Sequence, residues 1–177
     1  MRRALWHLFL LAIIAFWLGG CSIGDSDSDR SVNDTNTTET VLPPLFAPGD
    51  YGDIYLDANY TVPQNALFLD IRNRDEYEQK HAQGAVDGAI FEYRPQYVIN
   101  DDFVQDVLQH PDVNGDKERY IILICNSGSR SAQAAQWLAT PEDEEWNGRK
   151  GGGFRRVFHI VGGLHSWEEH GLPIVTP

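Results

Sequence analysis

Three short runs of apolar residues stand out in the pattern of hydrophobic and polar positions. They lie in ALFLDI around Leu67 to Asp70, in YIILIC from Tyr120 to Cys125 and in RVFHIV from Arg156 to Val161. Apolar residues mostly follow one another in these runs instead of alternating with polar ones, which is typical of strands buried on both faces of a parallel sheet. The pattern therefore predicts three strands of one sheet.

Segments of helical character separate these runs. They are RDEYEQKH (Arg74 to His81), DDFVQDVLQH (Asp101 to His110, with Asn100 or Asp101 as its expected N-cap) and SRSAQAAQWLAT (Ser129 to Thr140). Strands that alternate with helices indicate an α/β fold, in which helices cover both faces of a parallel sheet and the crossovers are right-handed.

Weaker signals complete this interpretation. Additional strands are expected near Ile54 to Leu56 and near Gly88 to Phe91, and residues 41–177 have the size of one domain with one core. The basic, glycine-rich stretch from Asn147 to Arg156 enters a strand instead of following one, and no lysine follows its glycines as in a phosphate-binding loop. We interpret it as a flexible surface insertion.

The N-terminus follows a different pattern. Residues 1–20 combine a basic start, an apolar run and small residues before Cys21, which indicates a secretion signal. Leu18-Gly19-Gly20-Cys21 resembles the lipobox of bacterial lipoproteins, and this resemblance implies that Cys21 is acylated and becomes the mature N-terminus. The expected location is the cell envelope, facing the periplasm, and Ser22 after the cysteine favours the outer membrane. The alternative is a plain membrane anchor with an incidental cysteine.

Residues 21–40 are built from Ser, Asp, Asn and Thr, which predicts a disordered tether. The formal net charge of −12 argues against nucleic acid and anionic lipid head groups as partners.

The chain has two cysteines, and with Cys21 acylated, Cys125 lacks an intramolecular partner in an oxidising compartment. Cys125 is then either buried and inert or used in chemistry.

The loop after Cys125 favours the second possibility. Ligands of open α/β sheets bind beyond the carboxyl ends of the strands, where CNSGSRS begins. A tight loop that leads into a helix points backbone N–H groups at its centre, and the helix N-terminus favours an anion there. We expect the Cys125 thiolate at that centre, with Gly128 allowing the turn and Arg130 adding positive charge if its side chain turns inward.

This loop, followed by an alanine-rich helix, resembles the active-site loop of rhodanese-domain sulfurtransferases. Two further stretches resemble the family in the family's order: LFLDIRNRDEYEQKHAQGAVDGAI, with its Asp-x-Arg, Glu-Tyr and His-x-x-Gly-Ala, and VFHIVGGLHSWEEHGLPI, with its double glycine and tryptophan helix. Together the three cover most of the chain from Ala66 to Val175. The chain is thus identified as a single-domain member with a rhodanese-like parallel sheet, carried on a lipoprotein.

The resemblance implies covalent catalysis without a cofactor or a metal. Cys125 attacks the outer sulfur of a small anionic donor such as thiosulfate, holds the sulfur as a persulfide and passes it to a thiol or protein acceptor. Arg130 is the second catalytic residue. Asp70 and Arg72 are supporting residues that we expect to pair with each other or with backbone groups. Substrate binding falls to the remaining residues of the loop, Asn126, Ser127, Gly128, Ser129 and Ser131.

Two alternatives remain open. A phosphatase or arsenate reductase of similar fold has five residues between its cysteine and its arginine, whereas four separate Cys125 from Arg130, so the ring is tight for a tetrahedral oxyanion. A lipid-anchored sulfur carrier or binding module without enzymatic activity would share the loop. The sequence predicts no catalytic role for His81, His165 or His170 and leaves the oligomeric state open.

Overall fold

The computed structural model of the chain describes residues 42–88, 91–94 and 96–176, and of residues 91–98 it describes the backbone alone. These residues belong to one compact unit, Glu39–Pro177. The predictions for the signal at 1–20, for acylation of Cys21 and for the tether at 21–40 lie outside the described residues. Within the described ranges, every helix is too short or too polar to cross a bilayer.

Strands and helices alternate along the chain, as the pattern predicts. The elements are β1 (Gly52–Ile54), β2 (Leu67–Asp70), α1 (Arg74–Gln79), β3 (His81–Ala82), β4 (Val86–Asp87), β5 (Phe91–Arg94), β6 (Gln96–Ile99), α2 (Phe103–Gln109), β7 (Ile121–Ile124), α3 (Ser129–Ala139), β8 (Glu145–Trp146), β9 (Arg149–Lys150), β10 (Val157–Ile160), α4 (Gly163–Glu169) and β11 (Ile174–Val175).

The central feature is a five-stranded sheet in the order β1-β10-β7-β2-β4. All four neighbouring pairs in it are parallel. The three strands predicted from apolar runs are β2, β7 and β10, and they lie side by side in the middle of the sheet. Because they are parallel, their carboxyl ends meet at one edge, where the loop after Cys125 begins.

Both faces of the sheet are buried, which explains the nearly continuous apolar runs. Alternate side chains of each strand point to opposite faces. One face packs against α2 and α3 and includes Leu67, Leu69, Ile121, Leu123, Val157, Phe103, Ala134 and Trp137. The other packs against α4 and includes Phe68, Ile122, Ile124, Ile160, Leu164 and Trp167. The predicted α/β fold with helices on both faces is confirmed.

Two helices are shorter than the pattern predicts. The structure places the N-cap of α2 at Asp102, not at Asn100 or Asp101. The Asn100 side chain instead accepts a hydrogen bond from the Asp102 N–H at 3.0 Å, which holds a turn ahead of the helix. Helix α1 ends before His81 because Lys80 is extended and His81 starts β3, which pairs with β11.

The two weak strands are shifted from their predicted positions. Strand β1 lies at Gly52–Ile54, and its parallel pairing to β10 fixes this register. The strand expected near Gly88 to Phe91 falls between two short strands: β4, where Val86 pairs with Leu69 of β2, and β5, which begins at Phe91. Residues 89 and 90 lie outside the described residues. Short strands at sheet edges have too few residues to show a clear hydrophobic pattern, so pairing with a neighbouring strand decides where they begin and end.

The segment interpreted as a flexible insertion is a packed hairpin, so that interpretation was wrong. Strands β8 and β9 pair in an antiparallel sense, joined by Asn147 and Gly148, whose φ values of 49° and 76° suit a two-residue hairpin turn. Trp146 stacks on Trp137 of α3 with ring centroids 5.4 Å apart. The Trp137 Nε1–H donates to the Lys150 carbonyl at 2.8 Å. These contacts fix the hairpin against α3.

Candidate active site

The structure places Cys125 directly after β7, at the carboxyl edge of the sheet. Its side chain is 0% exposed. The sulfur atom accepts hydrogen bonds from the backbone N–H of Gly128 at 3.2 Å and from that of Ser131 at 3.3 Å. Both donors are backbone amides of the same loop. The loop therefore has the geometry that the sequence predicts, a turn closed around the sulfur.

Gly128 makes this turn possible. It is the N-cap of α3 and has φ 88° and ψ −20°, in the left-handed region that favours glycine. A Cβ atom at this position would lie 2.9 Å from the Gly162 backbone nitrogen. The glycine thus meets two requirements at once, the left-handed turn and the close approach of the loop that follows β10.

The start of α4 braces the cysteine loop from outside. The Leu164 N–H donates to the Cys125 carbonyl at 2.7 Å, and the His165 N–H donates to the Asn126 carbonyl at 3.1 Å. Gly163, at φ 59°, comes so close that a Cβ atom there would lie 2.3 Å from the Cys125 carbonyl oxygen. The double glycine of the sequence motif is thus a point of backbone contact between two loops.

The guanidinium of Arg130 is held by Glu76 of α1. Nη1 donates to Oε2 at 2.7 Å and Nη2 donates to Oε1 at 2.8 Å, a bidentate pair. The hydrogen bonds from Arg130 are the main cause that holds the pKa of Glu76 below its usual value. Sequence analysis did not include Glu76 among the site residues, although the Glu-Tyr pair of the motif contains it. The catalytic role of Arg130 stays a prediction.

The Glu76–Arg130 pair makes stability depend on pH. The pKa of Glu76 is lower in the folded state than in the unfolded chain, where it is about 4.3. The pair therefore stabilises the fold fully above about pH 4.3, and this stabilisation is lost as pH falls through the folded-state pKa. We expect Glu76→Gln to lower the urea midpoint at neutral pH, and the gap to wild type to shrink near pH 3. Glu78→Gln, an exposed position on the same helix, is the matched control and should show a small gap at both pH values. A Glu76→Gln gap that is the same at both pH values would contradict this assignment.

Asp70 and Arg72 form a buried ion pair, as predicted. Arg72 Nε donates to Asp70 Oδ1 at 2.9 Å, and Arg72 Nη2 donates to Oδ2 at 2.7 Å. Nη2 also donates to the Lys80 carbonyl at 2.5 Å. The pair therefore ties the loop after β2 to the end of α1, which is a structural role.

The other predicted site residues lie on the outer side of the loop. Asn126 is half-buried, and Ser127 and Ser129 are exposed. Ser127 lines a cleft of about 430 Å³ together with Tyr55 and Leu56 after β1, Val161 and Gly162 after β10, and His165 of α4, among others. The structure brings the predicted residues to one loop, and their roles in substrate binding stay predictions.

His159 of β10 is a site residue that the sequence analysis missed. Its Nδ1 lies 3.3 Å from the Ser131 hydroxyl oxygen, which itself lies 3.5 Å from the Cys125 sulfur. The sequence signal was a histidine within an otherwise apolar run. The described residues contain no group of three or more His, Cys, Asp or Glu side chains suited to a metal ion.

Comparisons with known proteins place this fold and loop in one family. The model of the rhodanese-like domain matches residues 56–170. A tRNA uridine(34) hydroxylase of Sodalis glossinidius (strain morsitans) is 31% identical over 140 residues, which are 74% of this chain and 34% of that relative. A tRNA uridine(34) hydroxylase of Escherichia coli O81 (strain ED1a) is 27% identical over 150 residues, or 81% of this chain and 37% of that relative.

The chain thus spans about a third of the length of these curated relatives. Among solved structures, the Alr3790 protein of Anabaena sp. aligns with a TM-score of 0.47 at 23% identity, over 64% of this chain and 80% of that one. The match to the family model covers the cysteine loop, strands β2, β7 and β10, and helix α4. This chain belongs to the rhodanese-like domain family.

Proposed function

We propose that the protein is a sulfurtransferase that carries sulfane sulfur as a persulfide on Cys125. The observation that carries the proposal is the pair of backbone amides, from Gly128 and Ser131, that donate to the cysteine sulfur at the head of α3. They stabilise negative charge on that sulfur, which nucleophilic attack requires. Membership of the rhodanese-like domain family supports the same chemistry.

The reaction balances as two displacements. In the first, the Cys125 thiolate attacks the outer sulfur of thiosulfate, a sulfur–sulfur bond forms, and sulfite leaves with the electron pair of the bond that breaks. In the second, an acceptor thiolate attacks the outer sulfur of the persulfide, and Cys125 leaves as a thiolate. No oxidant or reductant is consumed. Free thiosulfate is the test donor because the first displacement releases sulfite from it.

Burial of Cys125 limits access to its sulfur. A donor reaches the sulfur only when the loop opens locally. Among the described residues, the exposed Ser127 lies on the loop and lines the 430 Å³ cleft, so we expect the donor to approach from that side. The net charge of −12 repels a free anion, which lowers its encounter rate at low salt. We therefore propose that a neutral or protein-bound donor reacts faster than thiosulfate.

Intact mass after incubation with thiosulfate tests the function. We expect the full-length chain to gain the mass of one sulfur atom, located by peptide mass spectrometry at Cys125 and removed by cyanide as thiocyanate. A chain that gains no sulfur from thiosulfate but accepts it from a low-molecular-weight persulfide is a sulfur carrier. A chain that gains sulfur from neither, with Cys125 unreactive to alkylation, contains a structural cysteine and overturns the proposal.

The tRNA uridine(34) hydroxylases among the relatives suggest a second candidate, hydroxylation of tRNA uridine. It is favoured by identities near 30% over most of this chain. The acidic charge of −12 opposes binding of a polyanion, and the chain spans only about a third of those relatives. Binding of tRNA to the full chain at low salt, where phosphate contacts are strongest, would favour this candidate.

We also propose that the domain is anchored to a membrane through an acylated Cys21 and faces the periplasm. The lipobox-like Leu18-Gly19-Gly20-Cys21 and the polar tether after it support this location. Several acyl chains suffice for stable anchoring, because each buried methylene contributes about 0.8 kcal/mol. On this proposal the two cysteines have separate roles, Cys21 in anchoring and Cys125 in sulfur transfer.

A further inference from the structure

A continuous polar path leads from the cysteine sulfur to an edge of the sheet. The Cys125 sulfur lies 3.5 Å from the Ser131 hydroxyl oxygen, and that oxygen lies 3.3 Å from Nδ1 of His159. Nε2 of His159 lies 3.0 Å from Oδ1 of Asp53. Asp53 and His159 are register partners in the parallel pair of β1 and β10, so both side chains point to the face that α3 covers.

Burial makes this path unusual in the core of the protein. His159 is 7% exposed and Ser131 is 0% exposed, while the Asp53 side chain at the sheet edge is 48% exposed. A histidine in an apolar strand is disfavoured unless its ring nitrogens have partners. Both nitrogens of His159 have one, and the partners differ in kind, a carboxylate on one side and a hydroxyl group on the other.

The hydrogen-bond roles along the path follow from chemistry. An ionised carboxylate only accepts, so Nε2 of His159 carries a hydrogen atom and donates it to Asp53. In the neutral ring Nδ1 then has a free lone pair, which accepts from the Ser131 hydroxyl group. The Ser131 oxygen in turn accepts from the Cys125 thiol. With the Ser131 hydroxyl group turned to His159, each group can pass a proton away from the sulfur.

We propose that Ser131 and His159 form a proton relay that ionises Cys125, with Asp53 fixing the histidine tautomer. The inference rests on the proposed sulfurtransferase function and deepens it. Ser131 touches the reacting sulfur and is catalytic in this scheme. His159 and Asp53 act through Ser131 and are positioning residues.

The step conserves protons and charge. The Cys125 S–H bond breaks and its proton goes to the Ser131 oxygen, while the Ser131 hydroxyl proton goes to Nδ1 of His159. The products are a thiolate and an imidazolium, and Ser131 is again a neutral hydroxyl group. The thiolate then attacks the sulfane sulfur. When the acceptor releases Cys125 as a thiolate, the same proton can return through Ser131.

Compensating charges make the ion pair feasible in a buried site. An isolated imidazolium there would be strongly disfavoured by the loss of hydration. In the relay the imidazolium lies between the Asp53 carboxylate and the thiolate. The backbone amides of Gly128 and Ser131 donate hydrogen bonds to the thiolate. The proton moves between groups that are already in place, so the transfer adds no net charge to the core.

The Ser131 hydroxyl group has a second acceptor, the Gly128 carbonyl oxygen at 3.0 Å. A single hydroxyl proton serves one acceptor at a time. Rotation of the hydroxyl group therefore switches between a resting state, in which it donates to Gly128, and a transfer state, in which it donates to His159. Once His159 is protonated, its Nδ1–H donates to Ser131, and the Ser131 hydroxyl group is free to donate to the thiolate.

Few titratable groups among the described residues lie against His159. Asp53 of β1 is one, and Tyr51, before β1, places its ring 5.7 Å from the imidazole. Helix α3 contributes Ser131 and, through it, Cys125 of the adjoining loop. Strand β7 places the apolar Leu123 beside His159 in register. The carboxylate, directly, and the thiol, through Ser131, are therefore the ionisable groups linked to the two ring nitrogens of His159.

The pH profile of Cys125 alkylation by iodoacetamide tests the relay, read on the Cys125 peptide so that Cys21 does not interfere. We expect His159→Asn to slow alkylation about tenfold near pH 6.5, the effect of a shift of about one pH unit in thiolate formation, and to leave it within about twofold near pH 9.5. Asp53→Asn should give a smaller shift in the same direction. Profiles of all three proteins that coincide would overturn the proposal.

A second histidine provides the matched control. His110, at the end of α2, also lies near a carboxylate: its Nδ1 is 3.9 Å from an Asp112 carboxylate oxygen and accepts a hydrogen bond from the Asp112 N–H at 3.2 Å. His110→Asn should leave the alkylation profile unchanged. Far-UV circular dichroism and thermal unfolding of each variant at the assay pH confirm that a slower rate reflects the relay and not unfolding.

Nuclear magnetic resonance supplies a test that does not depend on the folding of a His159 variant. In the ¹⁵N-labelled full chain we expect the titration midpoint of the His159 ring to move when Cys125 is replaced by serine, because the thiolate stabilises the imidazolium. A midpoint that is the same in both proteins would overturn the relay.

Both measurements work without a sulfur donor, so they separate this inference from the proposed function. Sulfur uptake with coincident alkylation profiles would overturn the relay and leave the sulfurtransferase. A shifted profile without sulfur uptake from any donor would support the relay and overturn its role in sulfur transfer.

Discussion

A Cys125→Ser variant should form thiocyanate from thiosulfate and cyanide at least about 10³-fold more slowly than wild type, because removal of a covalent nucleophile lowers kcat by up to about 10⁶-fold. The serine hydroxyl group fits the same loop, and the amides of Gly128 and Ser131 can still donate to it. Its oxygen is not ionised near neutral pH and does not accept sulfane sulfur. The loss therefore reflects chemistry and not folding.

The measurement is steady-state thiocyanate formation, with Cys21→Ser as the matched control. Each variant replaces one of the two cysteines of the chain. We expect the Cys21 variant to retain the wild-type rate and to lose membrane attachment. A Cys125→Ser variant that turns over at the wild-type rate would exclude the persulfide mechanism.

Gly163→Ala should destabilise the fold by about 3 kcal/mol or more. A left-handed residue with a Cβ atom costs about 1–2 kcal/mol, and crowding in a packed region adds about 1–3 kcal/mol. Crowding is severe at this position, since the Cβ atom would lie 2.3 Å from the Cys125 carbonyl oxygen. The start of α4 would have to move away, and the Leu164 N–H would lose its bond to Cys125. Sulfur transfer should fall with stability because this bond holds the cysteine loop.

Gly171→Ala is the matched control, because Gly171 has a similar φ of 68° but no atom within 4 Å of the added Cβ atom. It should cost about 1–2 kcal/mol from the backbone conformation alone. The free energy of unfolding in urea measures both variants. Equal losses at the two positions would show that the contact between the loops contributes nothing to stability.

Local pattern was enough to predict the centre of the fold. The apolar runs of β2, β7 and β10 are nearly continuous because helices cover both faces of the sheet, and each strand shows this pattern in its own sequence. The cysteine loop was equally local, since Cys125, Gly128 and Ser131 lie within seven residues and the helix follows at once. Edge strands and helix ends were less predictable, because pairing with neighbours sets their bounds.

Contacts between distant parts of the chain were not predictable. The hairpin of β8 and β9 is packed because Trp146 stacks on Trp137 of α3, and the sequence of the hairpin does not indicate this contact. Glu76 reaches Arg130 across 54 positions of sequence, and no spacing rule links the two. The sequence shows His159 as a histidine within an apolar strand, but it does not show that Ser131 and Asp53 lie against its ring nitrogens.

The sequence by itself thus determined the parallel sheet, the place of Cys125 at its carboxyl edge and the loop that turns around the sulfur, because each depends on residues close together in the chain. The tertiary structure decided what surrounds that loop: the brace by α4, the Glu76–Arg130 pair and the path through Ser131 and His159 to Asp53. Strand order and register set these contacts, since placing β1 beside β10 aligns Asp53 with His159, and the sequence does not specify that order locally.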